Sequence, residues 1–482
     1  MSSKLKAARG GVWFGAISFF TQGLSWAATF YVIRLLQPED YGLMTMASFL
    51  TGYLQLFTDL GLGSAIVQRD TINDNEVNSV FWFALAAGAG MAIVAFLLSY
   101  PTAWIFGEPR IIPVTKLIGF LFVVTALTAV PSNLLTRQFE LKKVALANLI
   151  GVLVSSVVSV VMALKGFGVY TLIWANIALN GTRMAMLFRA AAWRPRLHYS
   201  AREVRPYLGY GLYLSLSSAS LRLFQSLDKM IVGKVFGSAQ LGLYGNAMTI
   251  ASMPLDKIWP IYQQVTFPLF ANLQNRGKAS LESYLEILPH LLLAIGPLCL
   301  GAAMVAPELV GVVLGAKWLP MVPLFQVFCV TKLFELLTAY QAVLLNATGH
   351  HQKIFRFYLG LVIVIPAAVL IAALHSFNAL VIPWITIYPL FCIIWICRGL
   401  RICGISVRTY VRAVGDGLIS SFGMVLALFV VRESGVLESL DSELMRLLSL
   451  VAIGLVAFFF VLAVFRRKLL AQAARVLLSR DA

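Results

Sequence analysis

The chain has 482 residues, of which 60% are hydrophobic and 12% charged, against a usual charged share of about 25%. No soluble domain of this size has an interior able to hide so much apolar surface, so a water-soluble protein is excluded and a membrane one is left. Five cysteines (Cys299, Cys329, Cys392, Cys397, Cys403) stand at no spacing that fits a zinc site or a disulfide framework, and are expected to be free structural thiols.

Crossing the hydrocarbon as helix takes roughly 20 apolar residues, and windows of that kind recur fourteen times. A membrane β-barrel would instead need alternating segments of about ten residues, so the predicted class is all-α. The first window, 11–33, follows Lys4, Lys6 and Arg9 but runs on past Tyr31 with no polar mature segment behind it, which reads as a membrane helix rather than a secretory signal. It carries Ser18, Gln22, Ser25 and Thr29 at spacings of three or four, hence on one face. Window 43–67 contains Asp59 followed by Gly61, Gly63 and Ser64, and 79–99 is apolar. Window 111–136 holds Lys116, 145–164 is apolar, and 168–188 holds Arg183.

Residues 189–205 form the longest stretch outside the windows; it is basic, carries Pro195 with Pro206 just beyond, and reads as a linker between two units. Window 207–232 then repeats the polar stripe with Ser215, Ser218, Arg222, Gln225 and Lys229. Windows 240–268 (with Asp256 and Lys257), 286–306, 320–346 (with Lys332 and Glu335), 355–374, 378–398, 410–431 and 445–465 complete the series. Pro131, Pro254, Pro260, Pro268, Pro366, Pro383 and Pro389 fall inside windows and are expected to act as kinks or hinges. Gly23, Gly42 and Gly242 are expected where helices approach closely or bend.

Alternating the windows with the N-terminus inside places 25 Lys and Arg on the cytoplasmic side and seven outside (Arg34, Arg110, Lys165, Lys234, Lys317, Arg432, Arg446). This bias puts both termini in the cytoplasm, and it explains the net charge of +17 as topology rather than nucleic-acid binding. A shift of 200 residues aligns Gly11, Ser18, Val32, Gly42, Leu43 and Ala47 with Gly211, Ser218, Val232, Gly242, Leu243 and Ala247, and sets Arg34 against Lys234. Six windows per copy is an even number, so the copies run the same way through the membrane, as parallel repeats with a substrate path between them. The expected organisation is an N-lobe over 1–200, a C-lobe over 201–405, and two further helices with a cytoplasmic tail over 406–482.

Six bases lie within windows: Lys116, Arg183, Arg222, Lys229, Lys257 and Lys332. Each costs about 2.5–3.5 kcal/mol at the bilayer centre and persists where a cavity, partner or substrate compensates. Four acids share that environment, Asp59, Asp228, Asp256 and Glu335, and are candidates for carrying a coupling ion. Lys332 and Glu335 are helix neighbours able to neutralise each other. Asp228 and Asp256 each adjoin a lysine, about 100° away on a helix, and so need partners from elsewhere. The excess of bases points to an anionic cargo. The five histidines are scattered at loops and helix ends with no acidic partner at a revealing spacing, and no large polar loop exists, so neither catalysis nor a metal or cofactor is expected.

The run Arg34-Leu35-Leu36-Gln37-Pro38-Glu39-Asp40-Tyr41-Gly42-Leu43, followed by Thr58-Asp59-Leu60-Gly61-Leu62-Gly63, resembles the opening helices of bacterial polysaccharide transporters, the Wzx-type lipid-linked oligosaccharide flippases. Asp228-Lys229-Met230-Ile231-Val232-Gly233-Lys234, Leu241-Gly242-Leu243-Tyr244, Phe267-Pro268 and Gly315-Ala316-Lys317-Trp318-Leu319-Pro320 extend the likeness from about residue 5 to 465. The resemblance implies the multidrug/oligosaccharidyl-lipid/polysaccharide exporter superfamily: two six-helix lobes around a central cavity, two added helices, and alternating access. The implied cargo is a polyprenyl-pyrophosphate-linked oligosaccharide turned across the bacterial inner membrane, with a polymerase and a chain-length regulator as implied partners beside the membrane lipids. On this reading Arg222 and Lys229, with Lys116, Arg183 and Lys332, hold the pyrophosphate, while Ser18, Gln22, Ser25 and Gln225 meet sugar hydroxyls. A multidrug or cation antiporter, a peptidoglycan-precursor flippase and a non-transporting scaffold of a glycan assembly are the alternatives.

Overall fold

The computed structural model describes residues 3–59, 66, 72–191, 193–273, 278–440 and 442–465; the side chains of 3–16, 56–59 and 206–225, among others, lie outside the description. Fifteen α-helices account for the architecture of these residues. They are α1 (Ser3–Leu35), α2 (Pro38–Asp59), α3 (Asp74–Phe106), α4 (Ile111–Arg137), α5 (Leu141–Leu164), α6 (Tyr170–Ala190), α7 (Ala201–Leu273), α8 (Lys278–Met304), α9 (Ala306–Val313), α10 (Val322–Ala347), α11 (His351–Ala373), α12 (Val381–Ile385), α13 (Ile387–Cys403), α14 (Val407–Glu433) and α15 (Glu443–Phe465). Among the described residues nine helical spans are long and apolar enough to cross a bilayer. The other windows correspond to α1, α2, α6 and the two parts of α7. The chain is a multi-pass membrane protein.

Two breaks in the helices have local causes. Windows 207–232 and 240–268 are, as expected, two helices; they join within the α7 range across a kink at Gly237, whose φ of 82° and ψ of −174° no other residue type adopts without strain. Window 378–398 is divided at Thr386 (φ −113°, ψ −68°) between α12 and α13. Pro389 has no N–H for the carbonyl of Ile385 and crowds it, so the helix stops at Ile385 and restarts. By contrast Pro101, Pro131 and Pro366 are accommodated inside helices.

Two compact units, Met1–Gly242 and Leu243–Ala482, divide the chain. In the first, α3 packs along α4, α5 along α6, α2 against α3 and α4, and α1 against α5. The helices come close where side chains are small: a Cβ on Gly88 of α3 would lie 2.7 Å from Ala126 Cβ and 2.8 Å from the Phe122 carbonyl oxygen. A close backbone crossing joins α2 to α7. A Cβ on Gly42 would stand 1.7 Å from the carbonyl oxygen of Ser238, and one on Gly242 would stand 1.7 Å from that of Pro38. The contact is reciprocal and joins two glycines 200 residues apart in the chain. Gly23, in contrast, faces open space.

In the second unit α8 packs on α14 and α10, α14 on α15, and α10 on α13. Its core holds a stack of tyrosines, Tyr340 on Tyr284 (4.7 Å between ring centroids, 11°) and Tyr284 on Tyr410 (6.5 Å, 15°), with Tyr340 Oη donating to the Tyr284 carbonyl at 3.1 Å. Trp384 Nε1 donates to Tyr244 Oη at 3.0 Å, tying α12 to the second part of α7. In lipid such donors have no water to fall back on, so these internal bonds are needed.

The linker is fixed to the start of α3. Trp82 Nε1 donates to the Arg196 carbonyl (2.8 Å), Arg196 N–H donates to Asn78 Oδ1 (2.8 Å), and Ser200 N–H donates to Ser79 Oγ (3.0 Å). Glu203 accepts from Ser79 Oγ and meets His198 Nε2 at 3.2 Å. The Ser79 hydrogen bond, helped by His198 and opposed by desolvation, holds the Glu203 carboxyl below the usual carboxylate range. A carboxyl depressed on folding stabilises above its unfolded value of about 4.3 and loses that contribution as pH falls through the folded value. Thermal unfolding in detergent between pH 6 and 3 is therefore expected to show a fall in Tm that is smaller in Glu203→Gln.

Candidate functional site

Lys229 opens onto a cavity of about 290 Å³ that α2 and the first part of α7 build within the first unit. The α2 wall is Met44, Ser48 and Gly52 at four-residue spacing, with Thr45 and Phe49 alongside; the α7 wall is Ser226 and Lys229, three apart. Ser226 Oγ and Tyr53 Oη share a 2.6 Å hydrogen bond that joins the two helices at the cavity edge. Phe49 meets Tyr53 and Phe106 edge-on at 6.0 and 5.8 Å, which fixes the apolar side. Thr45 donates to the Tyr41 carbonyl (2.8 Å), leaving its oxygen free to accept from a ligand. No carboxylate pairs with Lys229 among the described residues. Asp228, next to it, is buried at 4% exposure. A lysine ammonium, three hydroxyls and an aromatic wall are the groups that hold a phosphate next to a sugar.

Sequence-predicted residues sit at several places. Arg222 and Gln225 precede Ser226 on α7, and helical spacing puts Arg222 on the face of Ser226 and Lys229, but their side chains lie outside the described residues, as does that of Asp59. On α1, Ser18 is exposed while Gln22 and Ser25 are half-buried; none of the three lines the Lys229 cavity. Lys116 is turned to the end of α3, where its Nζ donates to Tyr100 Oη (3.1 Å) and lies over the Phe96 and Tyr100 rings at 4.1 and 4.8 Å. This aromatic cradle compensates the charge without a ligand. Arg183 of α6 is half-buried against Gly151 of α5.

In the second unit Lys332 is 11% exposed and pairs with Glu335 one turn on at 2.6 Å. Asp256 lies within electrostatic reach of both and of Lys257, and Tyr358 and Tyr388 within that of Glu335. Glu335 is 41% exposed, so it is the loss of Glu335 that strands an enclosed charge, that of Lys332. Lys332→Met and Glu335→Gln are each expected to lower stability, and the double variant by less than their sum, with a coupling of about 1 kcal/mol or more in a thermal-unfolding double-mutant cycle.

Sequence reading missed Thr45, Ser48, Tyr53 and Ser226. The signal was present on α2, where Thr45, Ser48 and Gly52 recur at helical spacing. Comparison with known proteins adds the family. The model of the polysaccharide biosynthesis protein family matches residues 31–323, more than half of the chain. The chain belongs to that family. It is 25% identical over 337 residues to the lipopolysaccharide biosynthesis protein WzxC of Escherichia coli K12, covering 70% of this chain and 68% of that protein. It is 21% identical over 419 residues to the teichuronic acid biosynthesis protein TuaB of Bacillus subtilis 168, covering 86% of each. Among solved structures, the lipid II flippase MurJ in an inward closed conformation is similar with a TM-score of 0.74 at 13% identity, over 95% of this chain and all of that one. An inward-facing multidrug MATE transporter of the MOP superfamily follows at 0.62 and 15%, over 80% and 94%. At these identities the structural likeness speaks for the fold alone. The family's sequence match begins before α2 and runs past α7, so it includes both walls of the Lys229 cavity.

Proposed function

We propose that this chain flips a polyprenyl-pyrophosphate-linked oligosaccharide repeat unit across the bacterial inner membrane by alternating access, for exopolysaccharide, capsule or O-antigen synthesis. Both termini are placed in the cytoplasm by the bias of Lys and Arg. The chain acts as a transporter and not as an enzyme. The observation that carries the reading is Lys229, a base in the predicted membrane window 207–232, without a carboxylate among the described residues, facing a hydroxyl-lined cavity. Its charge is compensated when a pyrophosphate enters. Arg222 on the same face adds a second charge, with Gln225 and the α1 stripe of Ser18, Gln22 and Ser25 meeting sugar hydroxyls. Asp228, Asp256, Glu335 and Asp59 are the acids available to couple transport to an ion. The names borne by WzxC, TuaB and the succinoglycan biosynthesis transport protein ExoT of Rhizobium meliloti support a surface-glycan pathway. A polymerase and a chain-length regulator are the partners that such a pathway supplies.

Loss of the gene is expected to trap lipid-linked repeat units in the inner leaflet, out of reach of an impermeant glycan-labelling reagent applied to spheroplasts. Repeat units labelled from outside at the normal level would overturn the reading.

A further inference from the structure

A second site lies in the second unit, on helices that the Lys229 cavity does not use. Between α11 and α13 runs a groove of about 460 Å³, within the roughly 300–1,000 Å³ of small-ligand pockets. Its floor is aromatic: Phe357 stacks on Trp395 at 4.5 Å and 16°, and on Phe391 at 5.5 Å and 27°. Its rim is basic, with Lys353 and Arg356 from the first turns of α11 and Arg398 from α13, all three exposed. No carboxylate pairs with any of them among the described residues. Lys353 and Arg356 also stand at the positive end of the α11 dipole, whose first turn holds no acid. Three like charges so placed repel one another and the helix end, a cost that a bound anion removes.

A further observation points to an occupant. Trp395 is 7% exposed, yet its indole N–H has no acceptor among the described residues. A buried donor left unpaired is expensive, and an oxygen lying in the groove would satisfy it. The surroundings say what kind of molecule brings that oxygen: Phe355, Leu359, Ile363, Ile393 and Ile394 are exposed on the same two helices, which in a membrane chain is surface against lipid.

We infer that this groove binds the headgroup of an anionic glycerophospholipid, with the phosphate among Lys353, Arg356 and Arg398, a glycerol or ester oxygen on Trp395 Nε1, and an acyl chain over Phe391 and Ile394. Basic pockets between membrane helices on the cytoplasmic side take such headgroups. Which leaflet supplies the lipid rests on the topology of the proposed function; the lipid contact does not.

The test uses the full chain in nanodiscs carrying either phosphatidylglycerol or phosphatidylcholine brominated on the acyl chain. The quenching of Trp395 is obtained by difference from Trp395→Phe. Each base near the surface is worth about fivefold in anionic-lipid affinity, so roughly tenfold or greater enrichment of the anionic lipid at Trp395 is expected. That preference should vanish in Lys353→Gln/Arg356→Gln/Arg398→Gln and survive excess inorganic phosphate. Equal quenching by the two lipids, a preference retained in the triple variant, or displacement by free phosphate would each overturn the inference, and the first comparison needs no variant of the rim. A chain that fails to transport glycan but keeps the lipid preference would refute the flippase reading alone.

Discussion

Lys229→Gln is expected to slow transport of a lipid-linked oligosaccharide about ten- to hundredfold while the protein remains folded in the membrane. The magnitude is that of a hydrogen bond to a charged partner, about 1.5–3 kcal/mol, and it is lost because glutamine offers no charge to a pyrophosphate. The fold should tolerate the change, since no carboxylate relies on Lys229 among the described residues and the side chain borders a cavity rather than a packed core. Lys229→Arg keeps the charge in another shape and should retain part of the rate. The combination to look for is intact membrane-inserted protein, with unaltered thermal unfolding, and reduced flux.

Gly42→Ala and Gly242→Ala are expected to do the opposite, removing folded protein along with transport. In each case the new methyl would stand 1.7 Å from a backbone carbonyl oxygen, of Ser238 and Pro38 respectively, where ordinary contact begins near 3.4 Å. A backbone oxygen cannot rotate away, so α2 and α7 must separate along the crossing. Overpacking of a core side chain costs about 1–3 kcal/mol, and a helix-to-helix backbone clash belongs at the top of that range or beyond. Both substitutions create strain at the same crossing, so their effects should not add. Gly23→Ala and Gly90→Ala are the controls: both positions face open space, and alanine there should be neutral or gain up to about 1 kcal/mol. Thermal unfolding of the four purified variants separates the two groups.

The helices were legible because lipid leaves the backbone no alternative, and apolar length alone then locates them. Their interruptions were less so. Pro389 and Pro131 look alike in sequence, and only packing decides that the first ends a helix at Ile385 while the second is absorbed within α4. Gly42 and Gly242 were legible as positions of close helix approach, because a crossing closer than a methyl group allows no substitute there.

At the candidate site, local pairs could be read and distant ones could not. Lys332 and Glu335 stand three apart, and their ion pair is where helix geometry puts it. Lys116 has the same look of an embedded base as Lys229, but its partners Phe96 and Tyr100 come from another helix and turn it away into a cation–π contact. The Tyr53–Ser226 bond joins residues 173 apart in the chain, a separation over which no sequence period carries information. What distinguishes Lys229 from Lys116 is therefore the tertiary neighbourhood, an open hydroxyl-lined cavity in one case and an aromatic cradle in the other.

The most direct measurement is transport by the purified chain in proteoliposomes loaded with a polyprenyl-pyrophosphate-linked saccharide bearing a fluorophore on the glycan, read by bleaching with an impermeant reductant. Bleaching should exceed the half accessible in empty liposomes, Lys229→Gln should slow it about ten- to hundredfold, and a polyprenyl-linked saccharide without the pyrophosphate should not be carried. Equal rates for wild type and Lys229→Gln, or for the charged and uncharged lipids, would contradict a site built to hold pyrophosphate.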